Sequence, residues 1–136
     1  MDITDYHIDS LARFVGPEHE VANLPARPDR YDPFHTAAIE TIATLRDRGV
    51  TVDVIEEPSK PRVRDLDFVV SYVKHYICNG AIIIAEFGDR DNDQSAAAYM
   101  RAAYPNREMI QINVDALGKL SGGIHCATHQ LPAQGN

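Results

Sequence analysis

The residues best suited to chemistry lie near the carboxy-terminal end, where Cys126 follows Gly122 and Gly123. Glycines let the backbone approach a ligand closely, and a histidine precedes the cysteine while another follows three residues later. A free thiol with a pKa of about 8.5 is only a few per cent thiolate at neutral pH, so a nucleophilic cysteine needs a cationic neighbour or ligand. The pattern is typical of a thiolate nucleophile, and a small buried cysteine explains the spacing equally well.

A second candidate group, His7 and Asp9, stands near the other end of the chain. Apolar residues recur from Tyr6 to Val15 and the run stops at Gly16, which predicts a strand followed by a turn. Residues two apart on a strand share a face, so the imidazole and the carboxylate would lie side by side. Such a pair can act as an acid/base beside an anionic anchor for a positively charged substrate, and it is also common on protein surfaces.

The cysteine and its two neighbouring histidines allow another interpretation. His125, Cys126 and His129, with His7 and Asp9 in reserve, could form a metal site of mixed ligands. The spacing fits no zinc motif well. We keep this interpretation as a remote alternative.

Composition limits the classes of protein to which the chain could belong. It has 136 residues, 44% of them hydrophobic, a formal charge of -7 and two cysteines. The length and the hydrophobic content predict one domain or a piece of one, and two cysteines are too few for a disulfide framework. The acidic balance argues against a nucleic-acid partner and tolerates a cationic ligand. The start lacks a signal peptide, and no apolar run approaches the roughly 18 residues of a membrane span. We therefore expect a soluble, cytoplasmic protein without a membrane partner.

The first half of the chain contains the clearest helix. Asp32 supplies an N-cap and Pro33 a first-turn proline, and apolar residues then recur at helical spacing until Gly49. Alternation over Val50–Ile55 predicts a strand. The segment Glu20–Pro25 looks like a poor strand because its apolar stretch is short.

The second half begins with a predicted hairpin. Val69–Ile77 and Ala81–Phe87 flank an Asn-Gly dipeptide, which best fits a tight type I′ turn. Lys74 and His75 would then lie on opposite faces of the first strand, one buried and the other solvated.

A helix at Asp93–Ala103 and a strand at Met109–Val114 complete this second half, so the chain reads strand, strand, helix, strand, twice over. Repeats of about 60 residues suggest stacked or radial modules that cannot bury their apolar faces alone. We expect modules at about 4–57 and 68–132 and an exposed linker at about 58–67.

Three segments, taken together and in order, resemble the agmatine deiminases and the related bacterial-type peptidylarginine deiminases of the guanidine-modifying pentein superfamily. They are a His-X-Asp strand within residues 4–14, a tyrosine-rich Asn-Gly hairpin within 71–89, and a Gly-X-His-Cys-X-Thr segment within 122–130. The likeness runs through nearly the entire chain.

This resemblance implies an α/β fold consisting of the last two ββαβ-type blades of an incomplete five-bladed α/β propeller, the pentein fold. It implies that Cys126 is the nucleophile, His7 the general acid and base, and Asp9 a carboxylate that holds a small cationic guanidino substrate. The product would be N-carbamoylputrescine from agmatine or citrulline from arginine, formed through an amidino-cysteine intermediate. No metal or organic cofactor would be required.

Departures from the family pattern lead to further expectations. Family members are more than twice this length and Met1 falls just before the His-X-Asp strand, so we expect the amino-terminal blades and their guanidinium-binding carboxylates to be absent. Lys74 stands where many members have asparagine, and Ser121 where glycine is common. The chain would then associate with the missing blades or form a homo-oligomer.

Three functions from different classes stay open. The first is a deiminase that becomes catalytic when its missing blades are supplied. The second is a non-catalytic fragment that binds guanidino compounds or pairs with another subunit. The third is an unrelated thiol hydrolase or metal-binding module. We expect the isolated chain to form little ureido product.

Overall fold

A computed structural model describes residues 7–65, 67–119 and 122–132. Residues 4–6 of the first predicted module and Ser121 lie outside these ranges. None of the helices in the described ranges is both long and apolar enough to cross a membrane. The elements in chain order are a 3-10 turn at Ile8–Ser10, β1 at Ala12–Gly16, β2 at His19–Leu24, α1 at Pro33–Asp47, β3 at Thr51–Glu56, β4 at Tyr76–Cys78, β5 at Ala81–Glu86, α2 at Arg90–Ala103, β6 at Glu108–Asn113 and α3 at Asp115–Gly118.

The two halves of the chain share one topology. In each half an antiparallel pair, β1 with β2 or β4 with β5, is extended by a parallel strand, β3 or β6. A parallel connection needs a crossover, and α1 and α2 provide it. The predicted order of strand, strand, helix, strand is therefore confirmed in both halves, and the fold is α/β.

Both long helices occur where periodicity predicts them. The Asp32 carboxylate accepts hydrogen bonds from the backbone N–H groups of Phe34, at 2.8 Å, and His35, at 3.3 Å, which fixes the start of α1. Helix α2 begins at Arg90, three residues before the predicted start. The reason is that Asp93 points inward and accepts hydrogen bonds from Phe87 and Gly88, each at 2.9 Å.

The expectation that Glu20–Pro25 is a poor strand is wrong. Strand β2 is the central strand of its sheet and bonds to a neighbour on each edge. Val21 and Ala22 are fully buried on opposite faces of that sheet, so a two-residue apolar core is enough where both faces are covered.

The hairpin is confirmed, but its first strand and its turn differ from the prediction. Strand β4 covers three residues, and the segment before it is a series of turns. Gly80 has a φ of +76° and Asn79 does not have a positive φ, whereas a type I′ turn needs positive φ at both positions.

The fold has four layers in this order: α1, the first sheet (β1–β3), α2 and the second sheet (β4–β6). Ile42 of α1 packs on Ala22 and Val52, while Val21 and Ile55 on the other face join the core around α2. The two halves thus share one hydrophobic core.

Most of the described residues in the predicted linker segment 58–67 are exposed, Pro58 is buried, and one side chain of the segment is fixed in place. The Arg62 guanidinium bonds to Glu86 Oε1 at 2.5 Å and to Asp115 Oδ2 at 3.0 Å. This double ion pair connects segment 58–67 to the end of β5 and the start of α3.

Candidate active site

Asp9 lies in the 3-10 turn that precedes β1. Backbone hydrogen bonds run from Ser10 to His7 at 3.0 Å and from Leu11 to Ile8 at 2.9 Å, so these residues coil and do not extend. The predicted strand face shared by His7 and Asp9 is therefore wrong, because a turn of about three residues sends side chains two apart in different directions. His7 is exposed, and within the described residues its imidazole makes no hydrogen bond or ion pair.

The segment Ser71–His75 carries Lys74 into the site. It is buried throughout, with Lys74 3% and His75 0% exposed, so the prediction that one of the two is solvated is wrong. The physical reason is that the segment forms turns between the two halves, where neither side faces water. Its ends are fixed: the Ser71 hydroxyl donates to the Ser10 carbonyl at 2.8 Å, and the Arg13 guanidinium donates to the His75 carbonyl.

Cys126 lies in a short turn that Ile124 anchors. Ile124 is 4% exposed, and its carbonyl accepts a hydrogen bond from the Thr128 hydroxyl at 2.8 Å. The backbone N–H of His125 donates to the Lys74 carbonyl at 3.2 Å, which places the turn against the buried segment. Cys126 itself is exposed and free.

Three elements bring Asp9, Lys74 and Cys126 together. The Lys74 Nζ lies 3.2 Å from Cys126 Sγ and 3.3 Å from Asp9 Oδ2. The Cys126 Sγ lies 3.6 Å from the same carboxylate oxygen, although the two residues are 117 positions apart. His125 completes the cluster, with its Nδ1 2.9 Å from Asp9 Oδ2. The structure thus unites two of the three predicted site residues, Asp9 and Cys126.

Charge favours the ionised form of Asp9. Burial raises its pKa, but the Lys74 ammonium and the hydrogen bonds from His125 and Lys74 outweigh burial, so the pKa of Asp9 falls below its usual value. The site therefore presents a carboxylate beside a thiol, with a buried ammonium touching both. Such a cluster can bind a cationic ligand at the carboxylate and attack it with sulfur.

A metal site receives no support from this geometry. Within 7–65, 67–119 and 122–132, no three histidine, cysteine, aspartate or glutamate side chains form a group that could hold a metal ion. His125 turns to Asp9, and the backbone carbonyl of His129 accepts a hydrogen bond from the Tyr76 hydroxyl at 3.4 Å. A cleft of about 500 Å³ at the hairpin turn, lined by Asn79, Gly80 and residues 103–107, includes none of these side chains.

The sequence matches the Porphyromonas-type peptidyl-arginine deiminase family over residues 1–132. The chain belongs to that family. In the fold of this deiminase-family chain, Asp9 and Cys126 are neighbours although they lie 117 positions apart in sequence.

Relatives of this family member include proteins named for agmatine. It is 40% identical to the agmatine deiminase of Medicago truncatula over 157 residues, covering 97% of this chain and 41% of that protein. It is 33% identical to a Streptomyces avermitilis protein whose name gives agmatine deiminase as a provisional assignment, covering 93% of this chain and 37% of that protein. The chain thus spans about two fifths of the length of these relatives.

A solved structure shares the fold of this deiminase-family chain. It is the agmatine deiminase of C. Jejuni, a cysteine-to-serine variant with substrate bound, which superposes with a TM-score of 0.77 at 25% identity. The superposition covers 91% of this chain and 36% of that one. The two sheets described here therefore match part of a larger deiminase fold.

Sequence reasoning missed the parts that Lys74 and His125 play in the site of this deiminase-family chain. The sequence marks Lys74 as a departure from asparagine and places it with His75 on a strand with one solvated face, so it does not predict that both side chains are buried. The sequence signal that points to this contact is Gly123. In the structure a Cβ added at that glycine would lie 2.7 Å from Lys74 Cδ, so only a glycine permits the close approach. From the sequence, His125 is expected to be a neighbour that could activate the thiol or a metal ligand; its contact with Asp9 is not predicted, because the path of the turn that points it there is a tertiary property.

Proposed function

We propose that this chain supplies the nucleophile and a guanidinium-binding carboxylate of a hydrolase that converts the guanidino group of agmatine to a ureido group and releases ammonia. The observation that carries the proposal is the 3.6 Å approach of Cys126 Sγ to Asp9 Oδ2. A nucleophile and an anionic anchor at this separation fit the carbon and the nitrogens of one guanidinium group.

The reaction that we propose has two halves. The Cys126 thiolate attacks the central guanidinium carbon, a proton passes from His7 to a departing nitrogen, and the C–N bond breaks to release ammonia. This leaves an amidino group bound through carbon to sulfur. Water, losing a proton to His7, then attacks the same carbon, and the C–S bond breaks to return the thiolate and release N-carbamoylputrescine. Asp9 stabilises the positive charge of the substrate and of the intermediate.

His7 keeps the acid/base role in this proposal because it is the histidine of the His-X-Asp motif, and its imidazole is exposed. His125 bonds to Asp9 and serves to orient the carboxylate. General acid–base groups accelerate reactions by about 100- to 10,000-fold, so His7→Asn should lower the rate of product formation by a factor in that range. The matched change His125→Asn should reduce it less, because an amide can still donate to Asp9.

We further propose that the two halves are two blades of a five-bladed propeller, with modules at about 4–57 and 68–132 joined by a linker. Two facts support this proposal: the chain spans 41% of the Medicago truncatula protein, and Ile110 and Ile112 on β6 are 37% and 39% exposed. Further blades would cover such side chains and supply more carboxylates to the guanidinium site, whether from the same polypeptide or from an associated one. The proposed enzyme works in the cytoplasm.

Peptidyl arginine, with peptidyl citrulline as product, is the second candidate substrate, and free arginine would give citrulline. The name of the matching family favours this alternative. The chemistry at Cys126 would be the same, and only the group attached to the guanidinium would differ.

The test is a single-turnover assay with protein in excess over substrate, which detects one equivalent of product even where turnover is slow. Agmatine, arginine and an arginine peptide are incubated separately, and the ureido products are quantified. Repeated turnover should be slow, as the sequence predicts, but we expect up to one equivalent of N-carbamoylputrescine per chain from agmatine, none with Cys126→Ser, and no change with Cys78→Ser, which removes the thiol outside the site. The absence of ureido product from all three compounds, or equal product from Cys126→Ser, would overturn the proposal.

A further inference from the structure

We propose that Lys74 is a catalytic residue that holds Cys126 as a thiolate before any substrate binds. The proposed function would use this thiolate as the nucleophile, but the thiolate can form whether or not the chain has that function. A cationic substrate can itself stabilise a thiolate, and here the chain carries a cation in the site.

The ammonium group of Lys74 has little contact with water. Its side chain is 4% exposed, so the charge needs anionic partners to offset the cost of leaving water. The carboxylate of Asp9 is one partner, at 3.3 and 3.4 Å from its two oxygens. The sulfur of Cys126 is closer, at 3.2 Å. As a thiolate, it would be a second anionic partner and would accept a charge-assisted hydrogen bond from the ammonium.

The stem of Lys74 is held in a path that aims its ammonium at the sulfur. The Lys74 carbonyl accepts a hydrogen bond from the backbone of His125, the residue just before the cysteine. Gly123 lies against the stem so closely that an added Cβ would be 2.7 Å from Cδ and 3.0 Å from Cβ of Lys74. The cation and the nucleophile are thereby fixed to the same stretch of backbone.

The other titratable groups around the sulfur have opposing effects. Asp9 disfavours the thiolate by like charge, at 3.6 Å. His125 bonds to Asp9 and offsets part of that charge when protonated. Arg13 lies near enough to act on Asp9, and His75 is neutral because burial lowers its pKa to about 3. Among the residues that the structure describes, Lys74 is therefore the fixed positive charge in contact with the sulfur.

A pre-formed thiolate has a chemical consequence that can be measured without substrate. A neutral electrophile such as iodoacetamide reacts with the thiolate and not the thiol, so its rate against pH reports thiolate formation. We use the Cys78→Ser background, in which Cys126 is the sole thiol of the chain. The compared variants are Lys74→Met, which keeps a long apolar stem, Lys74→Arg, which keeps the charge, and Asp9→Asn.

In the Cys78→Ser protein, we expect the alkylation midpoint well below the value of about 8.5 for a free thiol. Lys74→Met should raise that midpoint by roughly 1–2 pH units, so that alkylation near neutral pH slows about tenfold or more. Lys74→Arg should restore a low midpoint, and Asp9→Asn should move it lower still. A lysine that only supported the fold would change stability and leave the midpoint where it was.

A midpoint near that of a free thiol in the Cys78→Ser protein would overturn the proposal, and so would an unchanged midpoint in a folded Lys74→Met protein. Circular dichroism at each pH establishes folding. If Lys74→Met does not fold, the test is the alkylation midpoint of the Cys78→Ser protein compared with that of its Asp9→Asn variant. A midpoint in Asp9→Asn that is unchanged or higher would count against the proposal. Alkylation needs no guanidino compound, so an inactive deiminase with a low midpoint would contradict the proposed function alone.

Discussion

The buried hydroxyl of Ser71 donates to the carbonyl of Ser10 at 2.8 Å. This contact joins the turn that carries Asp9 to the segment that carries Lys74, across 61 positions of sequence. The distance from Asp9 to Lys74 therefore depends on a hydrogen bond outside the charged cluster.

Removing that hydroxyl should weaken both the fold and the site. Ser71→Ala leaves a buried carbonyl without its partner, so we expect a loss of about 1–2 kcal/mol in the free energy of unfolding. Ser95→Ala is the matched control, because that hydroxyl bonds within α2 at an exposed position. Urea titrations of the two variants should show a lower midpoint for Ser71→Ala and almost none of that change for Ser95→Ala. Equal losses would show that the hydrogen bond from Ser71 to Ser10 adds no more stability than the exposed one within α2.

Gly88 faces the linker arginine. It has a φ of +86°, and a Cβ there would lie 2.4 Å from Cγ of Arg62. Gly49 has a similar φ of +83° and nothing within 4 Å of the corresponding point. Gly49→Ala should cost only the backbone term, about 1–2 kcal/mol, whereas Gly88→Ala should cost more because it also displaces the doubly paired Arg62.

A double-mutant cycle separates these two terms of the Gly88→Ala loss. In an Arg62→Ala background the added methyl group no longer meets the arginine side chain. The loss of unfolding free energy caused by Gly88→Ala should then fall to that caused by Gly49→Ala. Chemical unfolding of the four proteins gives the coupling. No coupling between positions 62 and 88 would show that the contact has no energetic weight.

His75 should make the fold sensitive to acid. Burial, aided by the charge of Arg13, lowers its pKa from 6.5 to about 3 in the folded chain. The unfolded chain binds a proton below pH 6.5 and the folded chain does not, so stability is complete above 6.5 and is lost as pH falls towards 3. Unfolding measured from pH 7 to pH 4 should show this loss, on the order of a few kcal/mol, and His75→Phe should flatten it. An equally steep loss in His75→Phe would contradict the assignment.

Glu57 should act in the opposite direction. Burial, with a smaller effect of Asp32, raises its pKa from 4.5 to about 7 despite the hydrogen bond from Asn23. The folded chain therefore holds a proton that the unfolded chain has lost, so this contribution is complete below pH 4.5 and is lost as pH rises through 7. Glu57→Gln keeps the acceptor for Asn23 and should be more stable than the parent above pH 7. Thermal unfolding at pH 8 is the measurement, and a lower midpoint for Glu57→Gln would refute the prediction.

Much of the fold could be predicted because its signals are local. Asp32 and Pro33 mark the start of α1, alternation marks β3 and β6, and Gly80 marks the hairpin turn. These features repeat in order, so the doubled topology followed from the sequence. What failed was local reasoning about buried segments: β2 has too short an apolar run to stand out, and its burial comes from neighbours on both faces.

The site could be predicted only in part, for the same reason. Cys126 and Asp9 were identified through motifs, and the structure brings them together. Lys74 could not be assigned from its sequence neighbours, because its burial depends on a turn segment held between the two halves. The role of His7 stays a prediction, since the described residues give its side chain no partner.

The role of Cys126 as the nucleophile can be tested by the mass of the chain after incubation with agmatine and acid quenching. We expect a covalent adduct on the peptide containing Cys126, heavier than the free peptide by the mass of agmatine minus one ammonia. The same adduct should be absent from Cys126→Ser and present in Cys78→Ser. An adduct on another residue, or ureido product formed while Cys126 is unmodified at every quench time, would show that Cys126 is not the nucleophile.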